Sequence, residues 1–277
     1  MGVSNIKEGM VFPTNKCGDL KVIKYKDKHS IDVEFANTGG KRNITAQTLR
    51  KGQIKDYLVK TLCSVGYIGY GKYTTRLEDG SGKNAAYKHW SRMLRRCYDQ
   101  NCADYPLYGE KGVTVCKEWH NFQNFAEWFY SQKNCKVTGV HLDKDLTYIG
   151  NKIYCSFLCY LVPPRVNTLS IDRKTSGVSW HQVANKWVTY LEGGRAVRSK
   201  DATYLMALYE SYKRDRVYSV LREEYAAGNI SSKILVSVYN HVNSEYNTIT
   251  HKNVDKSSTD SVKVLFTLKG GLLGGKI

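Results

Sequence analysis

The sequence predicts an α+β protein built from several small domains, and three observations predict it. Between residues 20 and 48, and again beyond 177, apolar residues alternate with polar ones, the two-residue period of half-buried strands. Between those regions, 85–98 and 122–129 repeat their apolar residues at three and four, the period of helices with one buried face. A chain of 277 residues can also hold two or three hydrophobic cores.

The first domain, 1–62, is expected to be a small β-domain. "LKVIKY", "SIDVEF" and "NITAQT" read as strands, with a turn at "NTGGKR". Lys41 and Arg42 at that turn fit a solvated hairpin tip more simply than a phosphate contact. Residues 64–84 are too rich in glycine for a regular element and read as a linker into the next unit, 63–170. Their Gly-Tyr repeats lack the Gly-Lys-Ser/Thr of a phosphate-cradling loop.

In 85–98 one helical face collects Ala86, Trp90, Met93, Leu94 and Cys97, and the other Lys88, Arg92, Arg95 and Arg96. That stripe fits a solvated charged face or a line of phosphate contacts equally well. Phe122, Phe125, Ala126 and Phe129 form a second apolar stripe behind a cap at Asn121. The stretch "HLDKDLTYIGNKIYC", 141–155, reads as a strand, a turn at Gly150 and Asn151, and a second strand "KIYCSF" completing a hairpin. Pro163 and Pro164 then open a short helix carrying Arg165 and Asn167.

From 171 to 228 the pattern gives two or three short strands, joined through an Ala-Asn turn and a Gly-Gly turn, and a long helix over about 201–227 capped by Asp201. In 229–277, "ISSKILVSVYNHV" reads as one more element, and the remainder carries no interpretable signature.

Charge narrows the partners. With 42 Lys plus Arg against 25 Asp plus Glu, the excess is 42 − 25 = +17, which favours a polyanion. No run of eighteen apolar residues and no signal-peptide core is present, so nucleic acid is the better expectation than membrane. The eight cysteines lack the regular spacing of a secreted disulfide scaffold and are expected to be reduced thiols in a cytosol. Cys97, Cys102, Cys116, Cys135, Cys155 and Cys159 could in principle hold a structural zinc. Their closest spacings are C-x4-C and C-x3-C, so buried thiols acting as small hydrophobes are the preferred reading.

The chemistry, if any, lies at 141–145. A strand puts His141, Asp143 and Asp145 on one face and Lys144 on the other. A carboxylate there and an amide oxygen from the following helix can hold one hard divalent ion such as Mg²⁺ beside a phosphodiester. The plainer alternative is a polar surface hairpin.

The run "AYKHWSRMLRRCY", "YGEKGVTVCKEWHNFQNFAEWF" and "HLDKDLTYIGNKIYCSFLCYLVPPRVNTL" resembles the HNH-type homing endonucleases of bacteriophages. The following "GVSWHQVANKWVTYL" resembles the three-stranded Apetala-two-type DNA-binding domain that often accompanies that nuclease, and together the two cover about 62–227. The resemblance implies a ββα metal unit, metal-dependent cleavage of duplex DNA, and a location in the host bacterial cytoplasm. It carries the metal ligands to Asp143 and Asn167, with Asp145 beside them. The family's histidine base, directly after the aspartate, is replaced by Lys144, whose ammonium cannot accept a proton, so His141 becomes the candidate base. "YCSFLC" also stands where the family has Tyr-Ser-Pro-Glu-Thr-Cys. In the strand domain the resemblance implies a sheet in the major groove, with Trp180, Gln182, Lys186, Thr189 and Arg195 as outward contacts and Trp187 packed under the helix. The replaced base keeps a second expectation open, a non-catalytic DNA-binding or regulatory protein.

Overall fold

A computed structural model describes residues 6–169 and 177–254 and shows an α+β protein that divides into two compact units. The first comprises residues 1–135 and 151–159, the second 136–150 and 160–277, so the 63–170 stretch contributes to both. Residues 1–5, 170–176 and 255–277, which include parts of all four expected segments, lie outside the described residues.

The first unit begins with a four-stranded antiparallel meander, β1 (Val11–Pro13), β2 (Asp19–Asp27), β3 (Ser30–Phe35) and β4 (Lys41–Ile44). Alternation turns Leu20, Val22, Ile31, Val33 and Phe35 into one apolar cluster with Ile44 and Leu49. The expected third strand is shorter than its sequence suggested. Thr45 accepts a hydrogen bond from the Thr48 backbone N–H and caps α1 (Ala46–Lys51), so "AQT" is helical. At the β3–β4 turn Lys41 pairs with Glu34 and the Arg42 guanidinium lies over Tyr57, so both cations have protein partners.

α2 (Ala85–Tyr98) buries the five residues its periodicity picked out, and Asn84 caps it through the Tyr87 N–H. β5 (Thr114–Val115) and α3 (Phe122–Ser131) follow, the latter capped by Asn121 and burying Phe122, Phe125, Ala126 and Phe129 as expected. Trp90 is fully buried between these helices, and its indole N–H donates to the Trp119 carbonyl at 2.7 Å. The glycine-rich 64–84 stretch has no regular element but is packed rather than loose. A β-carbon at Gly66 would run into Leu94 and Trp90, and one at Gly71 into Gln123, whose amide brackets the Tyr73 backbone.

In chain order there follow β6 (His141–Asp143), β7 (Ile153–Tyr154), β8 (Tyr160–Val162) and α4 (Pro164–Asn167). The expected hairpin pairing is corrected here. β6 pairs antiparallel with β8, whereas β7 pairs parallel with β5 in the first unit. Burial explains the exchange. Tyr154 is buried with its hydroxyl accepting from Arg96, which draws "KIY" to the first unit, while the apolar pair Leu161 and Val162 supplies a buried strand for β6.

The second unit continues with β9 (Val178–His181), β10 (Lys186–Tyr190) and β11 (Ala196–Ser199), an antiparallel sheet with β10 central. Asn185, at φ 48°, and the Gly193–Gly194 pair make the two turns. α5 (Ala202–Ala226) starts at Asp201, whose carboxylate accepts from the Thr203 and Tyr204 N–H groups, and packs on all three strands. α6 (Ser232–Val254) packs on α5, and Ile230, Ile234 and Val238 join Leu146, Val162, Val166 and Leu221 in one core. Ile230, Ile234 and Val238 thereby belong to the core that supports β8 and α4.

Candidate functional site

β6, β8 and α4 form an antiparallel pair followed by a one-turn helix, with α4 against β6. His141 and Asp143 stand on β6 opposite Val162 and Tyr160, and His141 is exposed. Asp143 is half-buried. Its Oδ1 accepts from the backbone N–H groups of Asp145 at 2.7 Å and Leu146 at 2.9 Å, which closes the loop leaving the strand. Burial pushes the Asp143 carboxyl above the usual range, the two N–H donors pull against it, and the Asp145 charge adds to the rise.

The strand ends at Asp143, so the alternation that grouped Asp145 with it does not extend that far. Lys144 is buried, at 6% exposure, and its ammonium donates to both oxygens of Asp145 at 2.8 and 2.6 Å. The Lys144 ammonium is therefore held by its neighbour. Among the described residues no group of three or more His, Cys, Asp or Glu could hold a metal ion.

By donor type, a carboxylate at Asp143 and an amide at Asn167 are groups that a hard ion takes. Both backbone bonds to Asp143 fall on Oδ1, and Asn167 stands on α4, the helix against β6. Asp145, bridged by Lys144, does not fit that role. The cysteines are free thiols, and burial pushes Cys116 up to about 11.

On the three-stranded sheet, register sorts the predicted contacts into two faces. Trp180 pairs with Trp187, and Trp187 with Ser199; Thr189 pairs with Val178 and Val197. These residues share one face. The other carries Ser179, His181, Lys186, Val188, Tyr190, Ala196 and Arg198.

Thr189 is corrected outright: it is fully buried and its hydroxyl donates to the Gly177 carbonyl at 2.8 Å. Trp180, 46% exposed, meets the half-buried Trp187 edge-on at 5.3 Å, on the face opposite Lys186. Lys186 is exposed on its strand, and Gln182 and Arg195 are exposed in the turns. Sequence reasoning missed Ser179, Tyr190 and Arg198, exposed on the Lys186 face. Stepping by two from Lys186 to Val188 and Tyr190 would have found Tyr190; Thr189, an odd step away, could not share that face.

On α2, Lys88 and Arg95 are exposed with no ion pair among the described residues, and Arg92 reaches Asp104 at 3.5 Å. Arg96 is largely covered, donates to the Tyr154 hydroxyl at 3.1 Å and lies over the Tyr108 ring. Its charge holds the protein together and does not face outward, so the stripe is narrower than expected.

No helix among the described residues is long and apolar enough to cross a membrane. Comparison with protein-family models, with curated proteins and with solved structures finds no match to this chain.

Proposed function

We propose that this chain is a duplex-DNA-binding protein of the HNH homing-endonuclease type, which grips DNA with its three-stranded sheet and α2 and cleaves a phosphodiester at β6, β8 and α4. The observation that carries the reading is the antiparallel β6 and β8 pair running into α4, with Asp143 at the end of one strand and Asn167 on the helix. A divalent ion bound there would act as a Lewis acid on the phosphate and its leaving oxygen. Asp143 and Asn167 would hold it, and exposed His141, on the same strand, would take the proton of the attacking water. Lys186, Arg195 and Arg198 would anchor and read the duplex.

A second reading, DNA binding without cleavage, is favoured by one observation, the buried Lys144 ammonium closed on Asp145. One experiment separates the two. A plasmid-nicking time course with Mg²⁺ or Mn²⁺, with and without chelator, runs beside a salt titration of duplex binding. Chelator-sensitive nicking supports the nuclease. Intact plasmid with salt-dependent binding supports the second reading, and no binding at any salt overturns both.

A further inference from the structure

α4 has only four residues, one turn, and a turn that short does not persist by itself. Two residues hold it to α5. Val166 is fully buried in the core that includes Leu221, and Arg165 forks across α5, with Nε on Glu224 and Nη2 on Glu223 at 2.9 Å. Glu224 is itself buried, and its second oxygen accepts from Asn229 Nδ2 at 2.7 Å. An apolar contact alone lets a turn roll, whereas a guanidinium fork on two carboxylates fixes orientation. Residues two apart lie about 200° around a helix axis. Fixing Arg165 on α5 therefore sets the direction in which Asn167 leaves the turn. The same α5, 25 residues long, packs on all three strands of the sheet.

We propose that Arg165 is a positioning residue that ties Asn167 to the helix carrying the three-stranded sheet, so that DNA seated on the sheet and the ion-binding side chains act as one piece. This deepens the reading above and rests on it for the roles of the sheet and of Asn167.

The test uses the full chain as wild type, Arg165→Met, which keeps an apolar stem without the fork, and Arg165→Lys, which keeps the charge. Backbone hydrogen exchange follows the α4 amides of Asn167, Thr168 and Leu169, which donate to Pro163, Pro164 and Val166 carbonyls. Exchange is read with and without duplex DNA, beside DNA affinity by anisotropy and Mn²⁺ affinity by electron paramagnetic resonance.

In wild type, DNA should slow exchange both on the sheet and on α4. In Arg165→Met, α4 exchange should rise about tenfold and lose its response to DNA. Sheet protection and DNA affinity should stay within about twofold, and Mn²⁺ affinity should fall about 10- to 100-fold, the range for an outer-shell partner of a metal ligand. Arg165→Lys should fall between, because an ammonium cannot fork. DNA that protects the sheet but not α4 in wild type, or unchanged α4 exchange in Arg165→Met, would overturn the proposal. Wild type that binds DNA but no Mn²⁺ would remove the nuclease reading instead, and the exchange result would still decide whether Arg165 sets α4.

Discussion

On the three-stranded sheet, Lys186 and Arg198 stand exposed on one face with no ion pair among the described residues. Beside β6, Lys144 is buried with its ammonium on both oxygens of Asp145. The first arrangement leaves charge available to a polyanion. The second neutralises charge internally and leaves one carboxylate, Asp143, anchored by backbone N–H groups. Counting basic residues therefore does not locate a binding surface. Availability depends on which cations the fold has already paired, and the contrast predicts that binding and cleavage are separable.

The largest effect that could break this separation is at Asp143. If the proposed metal site is right, Asp143→Ala should abolish metal-dependent nicking and leave DNA affinity within about twofold, because losing the carboxylate would remove an ion ligand and a repulsion toward phosphate together. Parallel loss of nicking and binding would mean that one surface does both. In the same assay His141→Ala should lower the nicking rate by about two to four orders of magnitude, the usual contribution of a placed general base. Lys144→His should keep or raise the rate. Nicking that appears only in Lys144→His would show a fold retained and a base lost.

The sheet comes next. Lys186→Ala and Arg198→Ala should each lower discrimination between target and random duplex by about 1 to 3 kcal/mol if they touch bases, as read by competition binding. Thr189→Val should leave discrimination unchanged and lower stability by about 1 kcal/mol, since only the buried bond to Gly177 is lost. Equal effects from Thr189→Val and Lys186→Ala on discrimination would sink the assignment of faces.

α2 offers a sharper version of the comparison within one helix. Arg95→Ala should reduce the slope of log affinity against log salt by about 0.9 if it neutralises one phosphate, with an unchanged melting temperature. Arg96→Ala should instead lower stability by about 1 to 3 kcal/mol, since the hydrogen bond from Arg96 to the Tyr154 hydroxyl is lost.

The smallest effect concerns pH. Burial lowers the His120 pKa, and its Nε2 is buried with no hydrogen-bond partner among the described residues. The unfolded chain then holds the proton more tightly than the folded one. This stability is present above the usual histidine range and is lost as pH falls through it toward the lowered value. Denaturation midpoints should drop between pH 7.5 and 5.5, and drop less in His120→Gln.

Much of the fold was legible because it depends on neighbours in sequence. Periodicity alone gave α2 its buried set of Ala86, Trp90, Met93, Leu94 and Cys97, and local side-chain caps placed the starts at Asn121 and Asp201. The Pro163 and Pro164 pair announced α4, and the pattern after 177 announced two or three strands where the sheet has three. Each signal spans at most a few turns of chain, the range over which backbone geometry fixes where side chains point.

What only the tertiary structure decided involves partners far apart in sequence. β6 could have paired with either of two downstream segments, and the burial of Tyr154 with Arg96, 58 residues away, settled it for β8. The face of Thr189, the withdrawal of Arg96 from solvent and the fork of Arg165 onto Glu223 and Glu224 likewise depend on which distant group lies opposite. Lys144 and Asp145 are adjacent, yet strand alternation wrongly set them on opposite sides because the strand stops at Asp143. Composition and period establish which residues need burial or a counter-charge, whereas the folded chain selects the partner, because pairing energy depends on distance and dielectric in three dimensions.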